Sequence, residues 1–196
     1  MEVLKVSSKN FEKVVKIAIK AIKEGKVIIC PTDTVYIPAT DATNKKAVKR
    51  AFLIKKRSLK KPIPIFIKDI KAAKKLAYIN KKQEQFLKKV WPGKVTVVLK
   101  RKKSKIKLYG VDKETIALRI PNLKLINLLL KKLDMPLVGT SANISNQLPS
   151  GNLRAVLQQF KNKKYRPDLV IDGGILPGKP STVFDLTELP PKILRP

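Results

Sequence analysis

Apolar residues recur along this chain with two periods, and the switching between them predicts its elements. Phe11, Val14, Val15, Ala18 and Ile22 fall at helical spacing, predicting an amphipathic helix from about Asn10 to Glu24, capped by Ser8 and stopped by Gly25. The run VIIC (27 to 30) reads as a strand and leads into the polar loop PTDTVYIP (31 to 38). Asn44 caps the next helix, whose apolar positions Ala47, Val48, Ala51, Phe52 and Ile54 deliver Lys55 and Arg57 at its end. IPIFI (63 to 67) is a strand, followed by helical stretches near 69 to 77 and 80 to 90. VTVVL (95 to 99) and TIALRI (115 to 120) are strands flanking a Lys-rich loop with Tyr109 and Gly110. A Leu-rich helix (about 122 to 133), the strand PLVGT (136 to 140), a helix near 152 to 161, the strand DLVI (168 to 171) and a last strand STVFDL complete the pattern. Alternating strands and helices imply one α/β domain over 1 to 196. The sheet is expected to be twisted and mixed, because some connections are short enough for hairpins.

Length and composition leave room for a real core: 196 residues, 43% hydrophobic, with no internal repeat or low-complexity block. Charge changes the picture more. The balance of 44 basic against 14 acidic residues gives +30, which favours anionic partners such as nucleic acid, nucleotides or phosphates. The lysines are spread over almost every segment, so a Lys-rich compositional habit and a dedicated RNA face stand about level. The single cysteine, Cys30, lies in an apolar run; it reads as core filler, excludes an internal disulfide and fits a reducing cytoplasm. The opening MEVLKVSSKN lacks a signal-peptide core, and no stretch reaches the ~18 apolar residues of a membrane span. Histidine is absent, which excludes His triads, His metal sites and imidazole acid/base catalysis. Chemistry is left to hydroxyls, Lys, Arg, Asn and a few carboxylates.

Four polar clusters fall at expected strand-to-loop junctions, where α/β sheets collect ligands: PTDT (31 to 34), KKRSLKKP (55 to 62), TSAN (140 to 143) and the GG…GKPST loop (173 to 182). Neither a P-loop nor a GxGxxG fingerprint is present. Lys55, Arg57, Lys60 and Lys61 form a patch able to clamp phosphates, although basic residues after a helix also simply complement its dipole. Ser141 and Asn143 can donate to a ligand, and residues of the same kind also build caps and turns. Arg119 stands in an otherwise apolar strand and needs a partner; a bound carboxylate or an internal Asp would serve equally well. The scattered carboxylates argue against a two-metal site and against glycosidase chemistry, and they leave room for one Mg2+ riding on substrate phosphates.

Taken in order, PTDTVY, DATNKKAVKRAFLIKKRSLKKPIPI, WPGKVTVVL, TIALRIPN, PLVGTSANIS, IDGGILPGKPSTVFDL and ILRP resemble the threonylcarbamoyl-AMP synthase family, whose domain is called YrdC-like. The resemblance covers nearly the whole chain and implies an α/β sheet with flanking helices around a central cavity. It implies the reaction of L-threonine, bicarbonate and ATP to threonylcarbamoyl-AMP and pyrophosphate, the intermediate for t6A in tRNA. Such a reaction suits a histidine-free site, because amine and dissolved CO2 form a carbamate without a side-chain base. The protein's task is then to position that anion against the α-phosphate.

By the same resemblance, Thr32, Thr34, Arg119, Ser141 and Ser181 serve threonine, while Lys55, Arg57, Lys61, Thr115, Asn143 and Arg195 face ATP. Lys55, Arg57, Ser141 and Asn143 mark the catalytic centre. No tightly bound cofactor is implied beyond ATP as substrate with Mg2+, and the partners would be tRNA or double-stranded RNA and the t6A transferase complex. The chain departs from the family at several positions: Tyr36-Ile37-Pro38 replaces Tyr-Gly-Leu, Phe66 and Leu123 stand where His is frequent, and Asn146 replaces a Gly. A positive φ at Ile37 would cost roughly 1 to 3 kcal/mol, whereas Asn146 tolerates left-handed backbone. The alternative from another class is an RNA-binding member with weakened catalysis. A carbamoyl-transfer enzyme of hydrogenase maturation ranks below both, since the Cys clusters of its extra parts are missing.

Overall fold

The computed structural model describes residues 2–196. Its elements run β1 (Glu2–Lys5), α1 (Phe11–Lys23), β2 (Ile28–Cys30), β3 (Ile37–Ala39), α2 (Lys45–Lys55), β4 (Ile65–Phe66), α3 (Ile70–Leu76), α4 (Lys81–Val90), β5 (Val95–Lys100), β6 (Thr115–Arg119), α5 (Lys124–Leu133), β7 (Leu137–Val138), α6 (Leu153–Phe160), β8 (Leu169–Asp172), β9 (Thr182–Asp185) and β10 (Lys192–Arg195). The fold is a single-domain α/β one with mixed pairing, as the alternation predicts. Its strands divide between two sheets, ordered β1-β8-β2-β3 and β10-β9-β5-β6-β4-β7.

Side-chain alternation explains how each sheet is covered. In the smaller sheet Ile28, Cys30, Leu169 and Ile171 pack against α1 and α5, while Val27, Ile29 and Val170 pack against Ala51 and Ile54 of α2 and Val156 and Phe160 of α6. Both faces are therefore dry, which is why VIIC reads as an unbroken apolar run. The larger sheet is different. Val97, Leu99, Ile116 and Leu118 pack with Ala73, Leu76 and Leu87 of α3 and α4. The intervening residues Thr96, Val98, Thr115, Ala117 and Arg119 turn to the opposite face and line a cavity.

The helix ends follow local chemistry. Asn44 Oδ1 accepts from Ala47 N at 3.1 Å, and Asn80 with Gln83 closes a capping box at 2.8 and 2.9 Å. At α1 the N-cap position belongs to Asn10 rather than Ser8. The Asn10 side chain accepts from Ser7 N and donates to Lys5 O, both at 2.8 Å, bracing the chain between β1 and α1. Gly25 ends that helix with φ of 74°.

The strain anticipated at Ile37 is absent, because Ile37-Pro38 is strand β3 and Ile37 is not among the positive-φ residues. β3 pairs antiparallel with β2, Pro38 opposite Ile29, at the edge of its sheet. An edge is where a strand tolerates the missing N–H of proline. Asn146 does adopt φ of 70°, as its replacement of a glycine predicts. No helix among the described residues is long and apolar enough to cross a membrane.

Candidate active site

The exposed face of the larger sheet, closed by the loops after β2, β7 and β8, bounds a cavity of about 330 Å³. That volume lies at the low end of the ~300–1,000 Å³ of small-molecule sites. Thr34, Arg57, Thr115, Arg119, Ser141, Ser181 and Arg195 all contribute to its lining. Residues far apart in sequence thus meet: Thr115, Arg119 and Arg195 come from strands β6 and β10 of the larger sheet, with a register shift in β10 just before Arg195, while Thr34, Arg57, Ser141 and Ser181 come from loops closing over it.

Arg119 is the most constrained group. Its guanidinium donates from Nε to Gly93 O (2.9 Å), from Nη1 to Thr34 Oγ1 (3.0 Å) and from Nη2 to Asp33 Oδ1 (2.5 Å), with its cationic carbon 5.4 Å from the Phe66 ring centre. The internal Asp is therefore the partner that an Arg in an apolar strand requires. Burial pushes the Arg119 pKa down, the charge and hydrogen bond of Asp33 oppose that, and Arg195 adds a further downward push. Thr32 Oγ1 donates to Val35 O at 2.7 Å, so the 2.9 Å contact between Thr32 and Thr34 leaves Thr34 as the donor. Thr32 lies behind the lining as a fully buried support for Thr34.

Lys55 and Asn143 form the wall rather than its surface. Lys55 Nζ donates to Ser141 O, to Asn143 O (2.8 Å) and to Asn143 Oδ1 (3.2 Å), which engages all three ammonium protons. Asn143 Nδ2 donates to Ile144 O and Gln147 O at 3.0 and 2.6 Å, and Asn143 Oδ1 also accepts from Ser141 Oγ at 2.5 Å. The Ser-x-Asn segment is in this way a tightly closed turn, locked from below by Lys55. Burial, and secondarily the like charge of Arg57, pulls the Lys55 pKa down to about 7. The three acceptors work the other way, since they are satisfied only by the ammonium.

Arg57 donates from Nε to Lys61 O (3.0 Å) and from Nη2 to Pro62 O (2.8 Å), which curls the 57 to 62 loop around it. Lys61 contributes that carbonyl, and its exposed side chain is not part of the lining. Arg195 donates to Ser181 O from Nε and Nη2 at 3.1 and 2.7 Å. Burial lowers the pKa of both arginines. Ser181 Oγ and Thr96 Oγ1 are 2.8 Å apart and buried.

Sequence reasoning missed four contributors: Asp33, Thr96, Asp112 and Gly139. Asp33 lies inside the PTDT cluster and Arg119 was visibly in want of a partner, so the signal for that pair was present. Gly139 carried none: a Cβ there would overlap the Phe66 ring, and only the packing reveals it. Asp112 lines the cavity with its Oδ1 accepting from Glu114 N (2.8 Å), Thr115 N (3.0 Å) and Thr115 Oγ1 (3.3 Å), so Thr115 is held by a carboxylate at the rim. Among the described residues no group of three His, Cys, Asp or Glu side chains is placed to hold a metal ion.

The molecule is thus an α/β protein of two mixed sheets whose cavity is ringed by guanidinium and hydroxyl groups. Residues 20–196 match the family designated Sua5_yciO_yrdC and described as "Telomere recombination", and the chain belongs to this family. It is 35% identical over 184 residues to a threonylcarbamoyl-AMP synthase of Pyrococcus abyssi, covering 93% of this chain and 53% of that protein. It is 32% identical over 190 residues to a putative threonylcarbamoyl-AMP synthase of Methanocaldococcus jannaschii, covering 96% of this chain and 87% of that one. The crystal structure of P. abyssi Sua5 complexed with L-threonine superposes with a TM-score of 0.85 at 32% identity, over 100% of this chain and 56% of that one. The chain spans about half the length of the P. abyssi protein.

Proposed function

We propose that the protein is an L-threonylcarbamoyladenylate synthase, a nucleotidyltransferase that joins L-threonine, bicarbonate and ATP into threonylcarbamoyl-AMP with release of pyrophosphate. The observation that carries this reading is the joining of Arg57, Arg119 and Arg195 around one cavity with the hydroxyls of Thr34, Ser141 and Ser181. A reaction between two anions, a carbamate and a triphosphate, needs cations to bring them together and to stabilise the departing pyrophosphate. The naming of relatives as threonylcarbamoyl-AMP synthases and the threonine complex of a similar structure support the same reading.

In this mechanism Arg119, oriented by Thr34 and Asp33, holds the threonine carboxylate, and Ser181 lies beside it. Arg57 and Arg195 hold the phosphates. Lys55 and Asn143 act by fixing the turn that presents Ser141. Asp112, the one carboxylate on the lining, would be the residue to hold a Mg2+ ion arriving with the phosphates, through its Oδ2, and such an ion would supply further positive charge for the departing pyrophosphate. The product would pass to the machinery that places threonylcarbamoyl on tRNA. The test is pyrophosphate release from ATP by the purified protein, with and without threonine and bicarbonate. Release that needs both is expected; release indifferent to threonine overturns the proposal.

A further inference from the structure

We propose that Asp33 sorts carboxylate from phosphate inside the cavity, by neutralising Arg119 so that its corner takes a singly charged carboxylate and the multiply charged phosphates go to Arg57 and Arg195. The identities of the two ligands rest on the synthase reading; the sorting itself does not.

The three guanidinium groups differ in what balances their charge. Arg119 and Asp33 form a buried ion pair, with side chains 3% and 8% exposed. Asp33 Oδ2 is buried and has no hydrogen-bond partner, so the charge on this carboxylate is answered chiefly by Arg119. Arg57 and Arg195, in contrast, bind only carbonyl and hydroxyl oxygens of Lys61, Pro62 and Ser181. Such acceptors satisfy N–H groups without cancelling a unit charge. Among the described residues neither has an ion-pair partner.

An anion approaching the Arg119 corner therefore meets a pair of zero net charge, whose attraction is that of a dipole. A phosphate chain gains far more from the two uncompensated cations. What Arg119 still offers is geometry. Three of its five N–H groups are spent on Gly93, Thr34 and Asp33, and two, one on each terminal nitrogen, are left to donate to a carboxylate. Asp33 is a positioning residue, since it acts through Arg119.

The experiment is calorimetric titration with inorganic pyrophosphate, then with L-threonine, of the wild type, Asp33→Asn and the double variant Asp33→Asn/Arg119→Met. The wild type is expected to bind pyrophosphate and threonine together. Asp33→Asn exposes the Arg119 charge, so pyrophosphate should bind roughly tenfold more tightly and displace threonine. The double variant should return pyrophosphate to its wild-type affinity and bind no threonine. Unchanged pyrophosphate affinity in folded Asp33→Asn, or a gain that survives removal of Arg119, overturns the proposal. Should Asp33→Asn not fold, the double variant, which buries neither charge, still decides: weakened pyrophosphate binding there would mean that Arg119 already serves phosphate. A wild type that binds pyrophosphate and ignores threonine would overturn the synthase reading instead, with the pyrophosphate comparisons intact.

Discussion

Lys55 shows how one side chain can be held by opposing forces. Burial draws its pKa to about 7, against about 10.4 for an exposed lysine. Between those values the unfolded chain carries the extra proton, so unfolding becomes less favourable as pH rises from 7 towards 10. The slope is bounded at about 1.4 kcal/mol per pH unit. Urea unfolding of the wild type minus that of Lys55→Met, compared between pH 7 and 9.5, should therefore rise with pH while the other lysines cancel. A flat difference would mean that the three acceptors keep the ammonium charged throughout. Phe66 and Gly139 give a second test at this scale. Adding a methyl in Gly139→Ala drives a Cβ into the Phe66 ring and should cost about 1 to 3 kcal/mol by thermal denaturation. Gly139→Ala combined with Phe66→Leu should recover much of that loss; additive losses would mean that the two side chains do not compete for space.

Among the elements, β3 decides how the substituted Tyr36-Ile37-Pro38 segment behaves. Ile37 is 2% exposed and paired with Cys30, so Ile37→Gly removes a buried side chain and loosens a strand. The expected cost is about 3 to 5 kcal/mol in urea unfolding, with no gain in threonine-dependent turnover. A more active Ile37→Gly would show the segment to be impaired as it stands. Next to it, Tyr36 pins the loop from 173 to 180: its hydroxyl donates to Gly174 O at 2.6 Å and accepts from Gly173 N at 3.1 Å. Tyr36→Phe should speed amide hydrogen exchange at 173 to 178 by about tenfold, corresponding to about 1 to 1.5 kcal/mol of lost hydrogen bonding. Exchange unchanged there would place the anchor elsewhere, at Gly178 N on Thr34 O.

The long helices and the central strands were legible in the sequence because burial imposes a period on them. β3 was not, since three residues including a proline read as loop until the edge position is known. β1 and β10 escaped for a related reason: both are short edge strands with largely exposed side chains, so alternation left little trace. Of the site, the polar clusters were visible, but Lys55 reaches a turn 86 residues away, and no local pattern separates such a buried clamp from a ligand-facing lysine.

At the scale of the whole molecule, charge sets the terms. The +30 balance leaves most lysines without an acidic neighbour, and of the ion pairs formed among the described residues, Arg119 with Asp33 is the deeply buried one. Self-repulsion of this size opposes the compact state, and salt screens it over a length of about 10 Å at 0.1 M. Surface pairs such as Lys74 with Glu84 are screened by water and salt and are too weak to reverse the sign. The melting temperature is therefore expected to rise by a few degrees between 20 and 200 mM sodium chloride. A melting temperature that falls with salt would mean that attractive pairs outweigh repulsion. tRNA, as a polyanion, is a probe of the same field: any binding it shows should weaken steeply with salt. If charge alone is responsible, replacing the cluster Lys103, Lys105 and Lys107 with Gln should lower tRNA affinity no more than replacing three lysines on α3 and α4, Lys71, Lys75 and Lys82. A loss confined to one cluster would instead mark a defined RNA face.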